Sequence, residues 1–476
     1  METPSSGRAL VAGRFDRLRR RLGQPVDNAW LAAFRMLFGA LMFWSCLRFF
    51  YNGWITAFYV RPKLHLKYWG FAWVQAWPGW GMYAHYAVLT ALALCIALGL
   101  WYRIAIVLFF LGFSYAQLID ASLYLNHYYL VSLLALLLSF MPAHARWSLD
   151  ARRSPALRAH TVPLWCLALL RFQVGVVYTF AGLAKLSRDW LLAGQPLGIW
   201  LASNTHVPLV GRYLDQPAVA LAASWMGFLF DSTIVLWLSW RKTRLPAYLV
   251  VIVFHFFTHL LFPIGMFPLI MIVSALVFFS PTWPLALAAR LRPASLPPIA
   301  APTAPTSSAS PQRPPSRAGL VVGLVYAVVQ VLLPLRTHLY GGNVLWHEQG
   351  MRWSWRVMVR EKNGSVTYRV RDPRTGRIWE VTPRDYLRNH QERELSTQPD
   401  LIAQLAHIIA ADFRERLGRD VTVEVDAAVS LNGRPAAPLI TPSADLSHAA
   451  DGIGPRSYIL PAPLGPPAGL TRGPTP

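Results

Sequence analysis

A lysine closes an apolar run. The stretch from Tyr178 through Lys185 to Trp190 ends a hydrophobic segment that begins near Pro163. A cation at the edge of hydrocarbon is costly and marks a functional site by default. A desolvated amine also loses pKa readily, so Lys185 is a candidate general base. The competing explanation is a snorkelling lysine whose ammonium lies among lipid head groups. Asn126-His127-Tyr128-Tyr129 opens another apolar run. A neutral imidazole there can pass a proton or hold a carboxylate, or it can pair with a head group. His255 and His259 are four apart and share a helix face. No neighbouring carboxylate completes a ligand set for a metal, which leaves a structural polar contact as the alternative. The link from Phe262 to Pro268 joins two apolar runs with almost no polar residue. It reads as a re-entrant turn against an apolar pocket. Phe267 and Met271, one turn apart, could line a lipophilic ligand site or belong to ordinary helix packing. Arg35, Arg48, Arg171 and Asp231 are further charges in apolar runs; Arg171 and Asp231 could pair across helices, which would be structural.

These groups need elements to hold them. The chain has 476 residues, of which 54% are hydrophobic and 14% charged, placing its bulk in a bilayer. The net charge of +22 comes mainly from arginines in short loops, which points to orientation and anionic lipid and away from nucleic acid. The three cysteines, Cys46, Cys95 and Cys166, all sit in apolar runs, without the spacing of a disulfide framework or thiolate metal site. The basic stretch Arg14 to Arg21 precedes an apolar run long enough to remain as a helix, so no signal peptide is expected. Length and apolarity predict a polytopic α-helical membrane bundle of about nine helices, near 30–51, 84–101, 104–119, 127–141, 163–184, 218–239, 246–262, 264–281 and 319–336. Arginine clusters before the first helix and in the loops after the fourth, sixth and eighth then fall on one side, which should be cytoplasmic. Residues 1–29 form a basic cytoplasmic start and 30–339 the membrane domain. Residues 340–449 are expected to form an exported α+β domain rich in strands, and 450–476, rich in Pro and Gly, a disordered tail. The stretch 293–318 is expected to be a flexible cytoplasmic loop. The aromatic loop carrying Trp69, Trp73, Trp77 and Trp80 should lie on the membrane at the outer face.

Within the exported part, 353–361 and 365–371 alternate as strands, with Asn363-Gly364 predicted as the hairpin turn between them. A third strand follows at 377–381. Residues 383–394 and 398–417 read as helices, the second with a stripe of Ile402, Leu405, Ile409 and Phe413. Residues 421–431 return to strand before a turn at Asn432-Gly433.

Five motifs occur in one order: Asn126-His127-x-Tyr129-Leu130, Val162-Pro163-Leu164-Trp165, Ala181-Gly182-x-x-Lys185-Leu186-x-x-Asp189-Trp190, Phe254-His255 with Phe262-x-Ile264-Gly265-Met266-Phe267, and Trp353-Ser354-Trp355-x-x-Met358-Val359. Together they resemble the vitamin K-dependent γ-glutamyl carboxylase family over most of the chain, from about residue 30 to 446 by motif order. The resemblance implies that a lysine deprotonates reduced vitamin K, which with oxygen becomes a base strong enough to take a γ-proton from glutamate. Carbon dioxide then adds, and the quinone leaves as its epoxide. By position, Lys185 is implied as the lysine base, Asn126 and His127 as the pair handling the glutamate, Phe267 and Met271 as quinone-pocket residues, and His255 as a histidine beside them. The implied cofactor is phylloquinol or menaquinol, with O2 and CO2 as co-substrates. The implied partners are membrane lipids and a Glu-containing protein or peptide. Animal members carry two adjacent lysines where this chain has Ala184-Lys185, and they are longer after the position of Asp445. Arg- and Ala-rich usage is compatible with a bacterium, hence with an inner membrane, a cytoplasmic N-terminus and an exported C-terminal domain.

A γ-proton of glutamate is too weakly acidic for any side chain, so a reactive cofactor must do the hard step. No HExxH, phosphate loop, GxSxG or dinucleotide fingerprint occurs, which removes support for a conventional hydrolase, kinase or nicotinamide enzyme. Two other outcomes stand beside the carboxylase: a quinol oxygenase that makes epoxide without carboxylating protein, and a non-catalytic quinone-binding membrane protein.

Overall fold

The computed structural model describes residues 5–291 and 315–467. An N-terminal helix, α1 (Ser5–Leu22), leads into the membrane helices. These are α2 (Ala29–Tyr51), α3 (Gly81–Leu98), α4 (Tyr102–Leu118), α5 (Asn126–Phe140), α6 (Leu164–Ala184), α7 (Pro217–Ser239), α8 (Arg244–Leu261), α9 (Phe267–Ala275), α10 (Trp283–Leu291) and α11 (Arg317–Leu335). Every apolar run predicted as a span contains helix, but nine full spans are not found. Six helices are long and apolar enough to cross a membrane among the described residues, or seven if the pair α9 and α10, bent by 102°, counts as one. The reasons are local. Helices α4 and α5 have 17 and 15 residues, about 25 and 22 Å, against a hydrocarbon core of about 30 Å. The α9 segment breaks before Pro281, which has no N–H to continue a helix. The chain is an integral membrane protein with a mostly helical fold and a smaller C-terminal region that contains strands.

One end of the bundle is tied together without the C-terminal region. Residues Pro25–Asp27 pair antiparallel with Thr161–Pro163. Arg146 bonds Asp27 at 2.8 Å, and Asp150 caps α4 by accepting from the N–H groups of Trp101 and Tyr102. The other end carries Lys185, Asn126 and the C-terminal region.

That region is a four-stranded antiparallel sheet, β1 (Lys362–Arg371), β2 (Ile378–Val381), β3 (Thr422–Leu431) and β4 (Ala437–Pro438), in the order β2-β1-β3-β4. Alternation aims Val366, Tyr368 and Val370 of β1, with Val423, Val425 and Val429 of β3, at helix α12 (Pro399–Leu417). The α12 stripe Ile402, Leu405, Ile409 and Phe413 is buried as its spacing predicts, and Tyr368 donates to the Ile402 carbonyl at 3.0 Å.

Four expectations for this region are corrected. Residues 353–361 form no strand, and Asn363-Gly364 makes no hairpin. Gly364 instead lies inside β1, opposite Val429. A Cβ there would sit 2.4 Å from the Ser396 carbonyl oxygen, so the glycine serves a close backbone approach and not a turn. Residues 383–394 split into a 3-10 turn, Pro383–Asp385, and a short helix, Asn389–Leu395. Part of the expected disordered tail is also ordered: Ile459 bridges Ile440, Leu460 bonds Leu439, and Trp346 Nε1 donates to the Leu460 carbonyl. The rest of that tail, from 468, and most of the 293–318 loop lie outside the described residues. The turn at Asn432-Gly433 is found, with φ of +52° and +78°.

Candidate active site

Lys185 caps the C-terminus of α6. Its Nζ donates to the Ala181 carbonyl at 3.2 Å and to Asp231 Oδ2 at 2.7 Å, and it lies 5.1 Å from the Trp190 ring centroid. The local sequence explains each contact. Gly182 lets α7 come close: a Cβ there would lie 2.6 Å from Ser232 Oγ and 2.9 Å from Ser232 N. That approach brings the neighbouring Asp231 within reach of Lys185. Ser187 starts a short helix, Arg188–Leu191, by accepting from the Trp190 N–H. The Trp190 indole is then fixed by donating to the Ser224 carbonyl at 2.7 Å.

The pair that Arg171 and Asp231 could form is not found: Asp231 bonds Lys185 instead. Arg171 is fourteen residues before Lys185, about 21 Å toward the other end of α6. It donates to the carbonyls of Val277, Phe278 and Phe279, satisfying backbone groups where the α9 segment ends. Asp231 is the only acidic residue in the six long apolar helices.

Lys185 and Asp231 head a cavity of about 980 Å³ between α6, α7, α8 and α9. Tyr178, His255, Phe267 and Met271 also line it. From Leu261 it follows α8 back to Pro246, fifteen residues or about 22 Å. Its flank runs between α7 and α8, where Leu229, Val250 and Val253 are about half exposed on an otherwise apolar surface. Lipid would touch that flank, so the cavity can admit a long apolar tail sideways. The His255 and Tyr178 side chains hydrogen-bond at 3.2 Å, and the His255 Nδ1 has no partner among the described residues. His259 is exposed and does not line the cavity. A size near the upper end for small-molecule sites, apolar walls and a few convergent polar groups suit a lipophilic ring with a tail.

A second pocket, about 460 Å³ and polar, lies between the bundle and the C-terminal region. Asn126 lines it beside Arg352, Arg356 and Lys362. Met358 lines both pockets and forms part of the wall between them. It belongs to an irregular loop in which Trp353, Trp355 and Met358 have φ of +62°, +58° and +52°. Such backbone costs about 1–2 kcal/mol per residue and concentrates at working sites. His127 lines neither pocket, but its ring lies 6.1 Å from that of Phe267 and it directly follows Asn126. No hydrogen bond to the His127 ring occurs among the described residues. Asn126 accepts from the Tyr124 hydroxyl at 3.0 Å.

The cations of the polar pocket differ in their pairing. Arg352 pairs with Asp400; burial lowers the guanidinium, but the carboxylate outweighs it and raises Arg352 above its usual range. Lys362 donates to Glu348 and to the carbonyls of Trp346 and Thr397, and burial brings it down to about 8. Arg356 meets no carboxylate among the described residues. It donates to Thr337 Oγ1 at 3.2 Å, its buried Nε has no partner, and burial lowers its pKa. A half-buried guanidinium without a carboxylate partner among the described residues has the charge and the donors to receive an anion.

Polar contacts join the C-terminal region to the Lys185 end. Asp189, four residues after Lys185, accepts from both terminal nitrogens of Arg434 at 2.7 and 2.6 Å and from Asn432 at 2.8 Å. Burial raises the Asp189 carboxyl, but these bonds outweigh it and hold it below the usual range. Asp120 accepts from Gln391 at 2.7 Å, and Gln404 bonds the backbone of Lys67.

The fold thus gathers Lys185, His255, Phe267 and Met271 in one cavity. It places Asn126 in a second and His127 beside the first. Sequence alone marks Asp231 only as a charge to be paired and does not single out Arg356. A lone acidic residue in apolar helices signals a required cationic partner, but spacing does not say which. Arg356 sits inside the Trp353–Val359 motif, where nothing local reveals that it lacks a counter-ion.

Residues 23–283, more than half of the chain, match the family model of the HTTM domain. Residues 315–464 match the lumenal domain of vitamin K-dependent gamma-carboxylase. No solved structure matches the chain.

Proposed function

The chain belongs to the vitamin K-dependent gamma-carboxylase family, and from that premise we propose that it carboxylates glutamate side chains of a protein or peptide at the expense of a reduced vitamin K quinone, O2 and CO2. One observation carries the reading. A long apolar cavity headed by a lysine meets a polar pocket holding a guanidinium that has no carboxylate partner among the described residues, with Met358 between them.

The residues divide the work. Phe267, Met271 and the apolar walls bind the quinone ring and its tail, and exclude water from the head of the cavity. Lys185 Nζ accepts a proton there. The bound hydroquinone supplies, with oxygen, the base that no side chain can provide. Arg356 receives the substrate carboxylate, and the Asn126 amide orients it, so that the γ-carbon points past Met358 toward the cavity. His127 lines neither pocket; it directly follows Asn126 and its ring lies 6.1 Å from that of Phe267, so its proposed role is to position these two residues. The C-terminal region supplies much of the polar pocket and is proposed to face away from the cytoplasm, in a bacterium from the inner membrane. Phylloquinol and menaquinol share the ring and differ in the tail, and the groove along α8 accepts either.

The test is incorporation of labelled CO2 into a Glu-containing peptide by purified protein with reduced vitamin K and O2, with epoxide measured in the same tube. Label and epoxide should both appear in the wild type and both vanish in Lys185→Ala. Epoxide without label across varied Glu peptides would reduce the function to quinol oxygenation. Neither product with phylloquinol or menaquinol would leave a quinone-binding membrane protein.

A further inference from the structure

We propose that Asp231 is the proton-holding partner of Lys185, so that the base at the head of the cavity is a lysine–carboxylate dyad and not a lone amine. This rests on the function proposed above and concerns its first proton transfer.

Asp231 Oδ2 is 2.7 Å from Lys185 Nζ, and the two side chains are 10% and 6% exposed. No other hydrogen-bond donor reaches the Asp231 carboxylate among the described residues. The neighbouring titratable groups are Tyr178 on α6 and His255 on α8, and these are hydrogen-bonded to one another. A buried ion pair is poor evidence of a stability role, because apolar replacements of similar volume are often as stable. Here the pair lies in the wall of an apolar cavity, and its cation is the one the family resemblance makes the base.

An amine that already carries three protons cannot accept a fourth. A carboxylate already hydrogen-bonded to Nζ removes that obstacle. One Nζ proton crosses the existing bond to Oδ2. Nζ then takes the hydroxyl proton of the bound hydroquinone. One quinol O–H bond is broken and one carboxyl O–H bond is formed, and Lys185 again carries three protons. The dyad passes from neutral to a single positive charge, and the hydroquinone takes the single negative charge. Empty, the site is a neutral pair, which an apolar cavity tolerates better than an isolated ammonium. Asp231 acts through Lys185 and is in that sense a positioning residue.

The experiment uses the full chain in lipid nanodiscs. Infrared difference spectra would be taken without oxygen, before and after adding phylloquinol, so that no turnover occurs. The wild type should gain the carbonyl band of a protonated carboxyl group on loading. Asp231→Asn should lack the band, and Asp231→Glu should show it displaced. In air, kcat for epoxide should fall about 100-fold in Asp231→Asn, with the Kd for oxidised phylloquinone within about twofold of wild type and partial recovery in Asp231→Glu. A simple anchoring role would not create the band. The inference is overturned if the wild type binds quinol and makes epoxide but shows no band, or if Asp231→Asn keeps the wild-type kcat. If Asp231→Asn does not fold, the wild-type band and its displacement in Asp231→Glu decide the matter. A wild type that binds phylloquinol but makes no epoxide would count against the proposed function instead.

Discussion

Gly182→Ala changes no charge and touches no ligand, yet it should disable the site. A Cβ at residue 182 would lie 2.6 Å from Ser232 Oγ, 2.9 Å from Ser232 N and 3.0 Å from Ser232 Cα. Carbon atoms in contact prefer about 3.5–4.0 Å. Rotation of the serine side chain relieves the first contact but not the two with the backbone. Helix α7 must therefore move away from α6 by about 0.5–1 Å, and Asp231 moves with it. The 2.7 Å bond between Lys185 and Asp231 would stretch to about 3.2–3.7 Å, at or past the limit of a useful hydrogen bond. Overpacking of this kind costs about 1–3 kcal/mol of stability. A misplacement of about 1 Å at a reacting group costs up to about 100-fold in rate. Gly175→Ala is the internal control. It lies on the same helix, and its Cβ would meet only Val235 Cγ1, at 3.8 Å, an ordinary contact. Epoxide formation and thermal unfolding would be measured for both. We expect Gly182→Ala to lose about 10- to 100-fold in kcat with little change in quinone Kd, and Gly175→Ala to match wild type or gain slightly in stability from helix propensity. Equal behaviour of the two variants would refute the claim that close packing of α6 on α7 positions Asp231.

Other perturbations test other parts of the structure. Arg356→Gln should raise KM for a Glu peptide by about 10- to 100-fold, the loss of a charge-assisted bond worth about 1.5–3 kcal/mol, while quinone binding measured by fluorescence quenching stays unchanged. Asp189→Asn leaves the Arg434 guanidinium without its carboxylate and should loosen the C-terminal region by about 3 kcal/mol, seen as faster hydrogen exchange at residues 422–438. Acid should act on the same contact. The folded Asp189 carboxyl titrates below its ordinary value of 3.8, so its contribution is complete above that value and disappears as pH falls through the lower, folded one. Protease protection of the C-terminal region should therefore decline below about pH 4, and Asp189→Asn should decline less over that range. Gly364→Ala forces a Cβ to within 2.4 Å of the Ser396 carbonyl oxygen and should destabilise the sheet by about 1–3 kcal/mol, read from thermal unfolding.

Much of this protein is legible in its sequence because the bilayer is a severe solvent. Apolar runs must satisfy their own backbone, so each becomes helix, and the ordered motifs around Asn126, Lys185, Phe267 and Trp353 point to one family. The stripe of α12 and the Asn432-Gly433 turn follow from local periodicity and local dihedral preference. What failed was the length rule for α4, α5 and the α9 segment, whose short or broken helices are carried by their neighbours. The Asn363-Gly364 reading failed because a glycine that permits a turn also permits a close approach, and local sequence does not distinguish them. Side-chain type alone signals that Asp231 needs a cation, that Lys185 is a candidate base if desolvated, and that Phe267 and Met271 are candidates for an apolar site. Only the tertiary structure decided that Asp231 pairs with Lys185 and not Arg171, that Arg356 meets no carboxylate among the described residues, and that Met358 stands between two chambers. Charge pairing and cavity shape depend on which helices meet and at what level, and that register is set by contacts such as Gly182 on Ser232 between residues far apart in the chain.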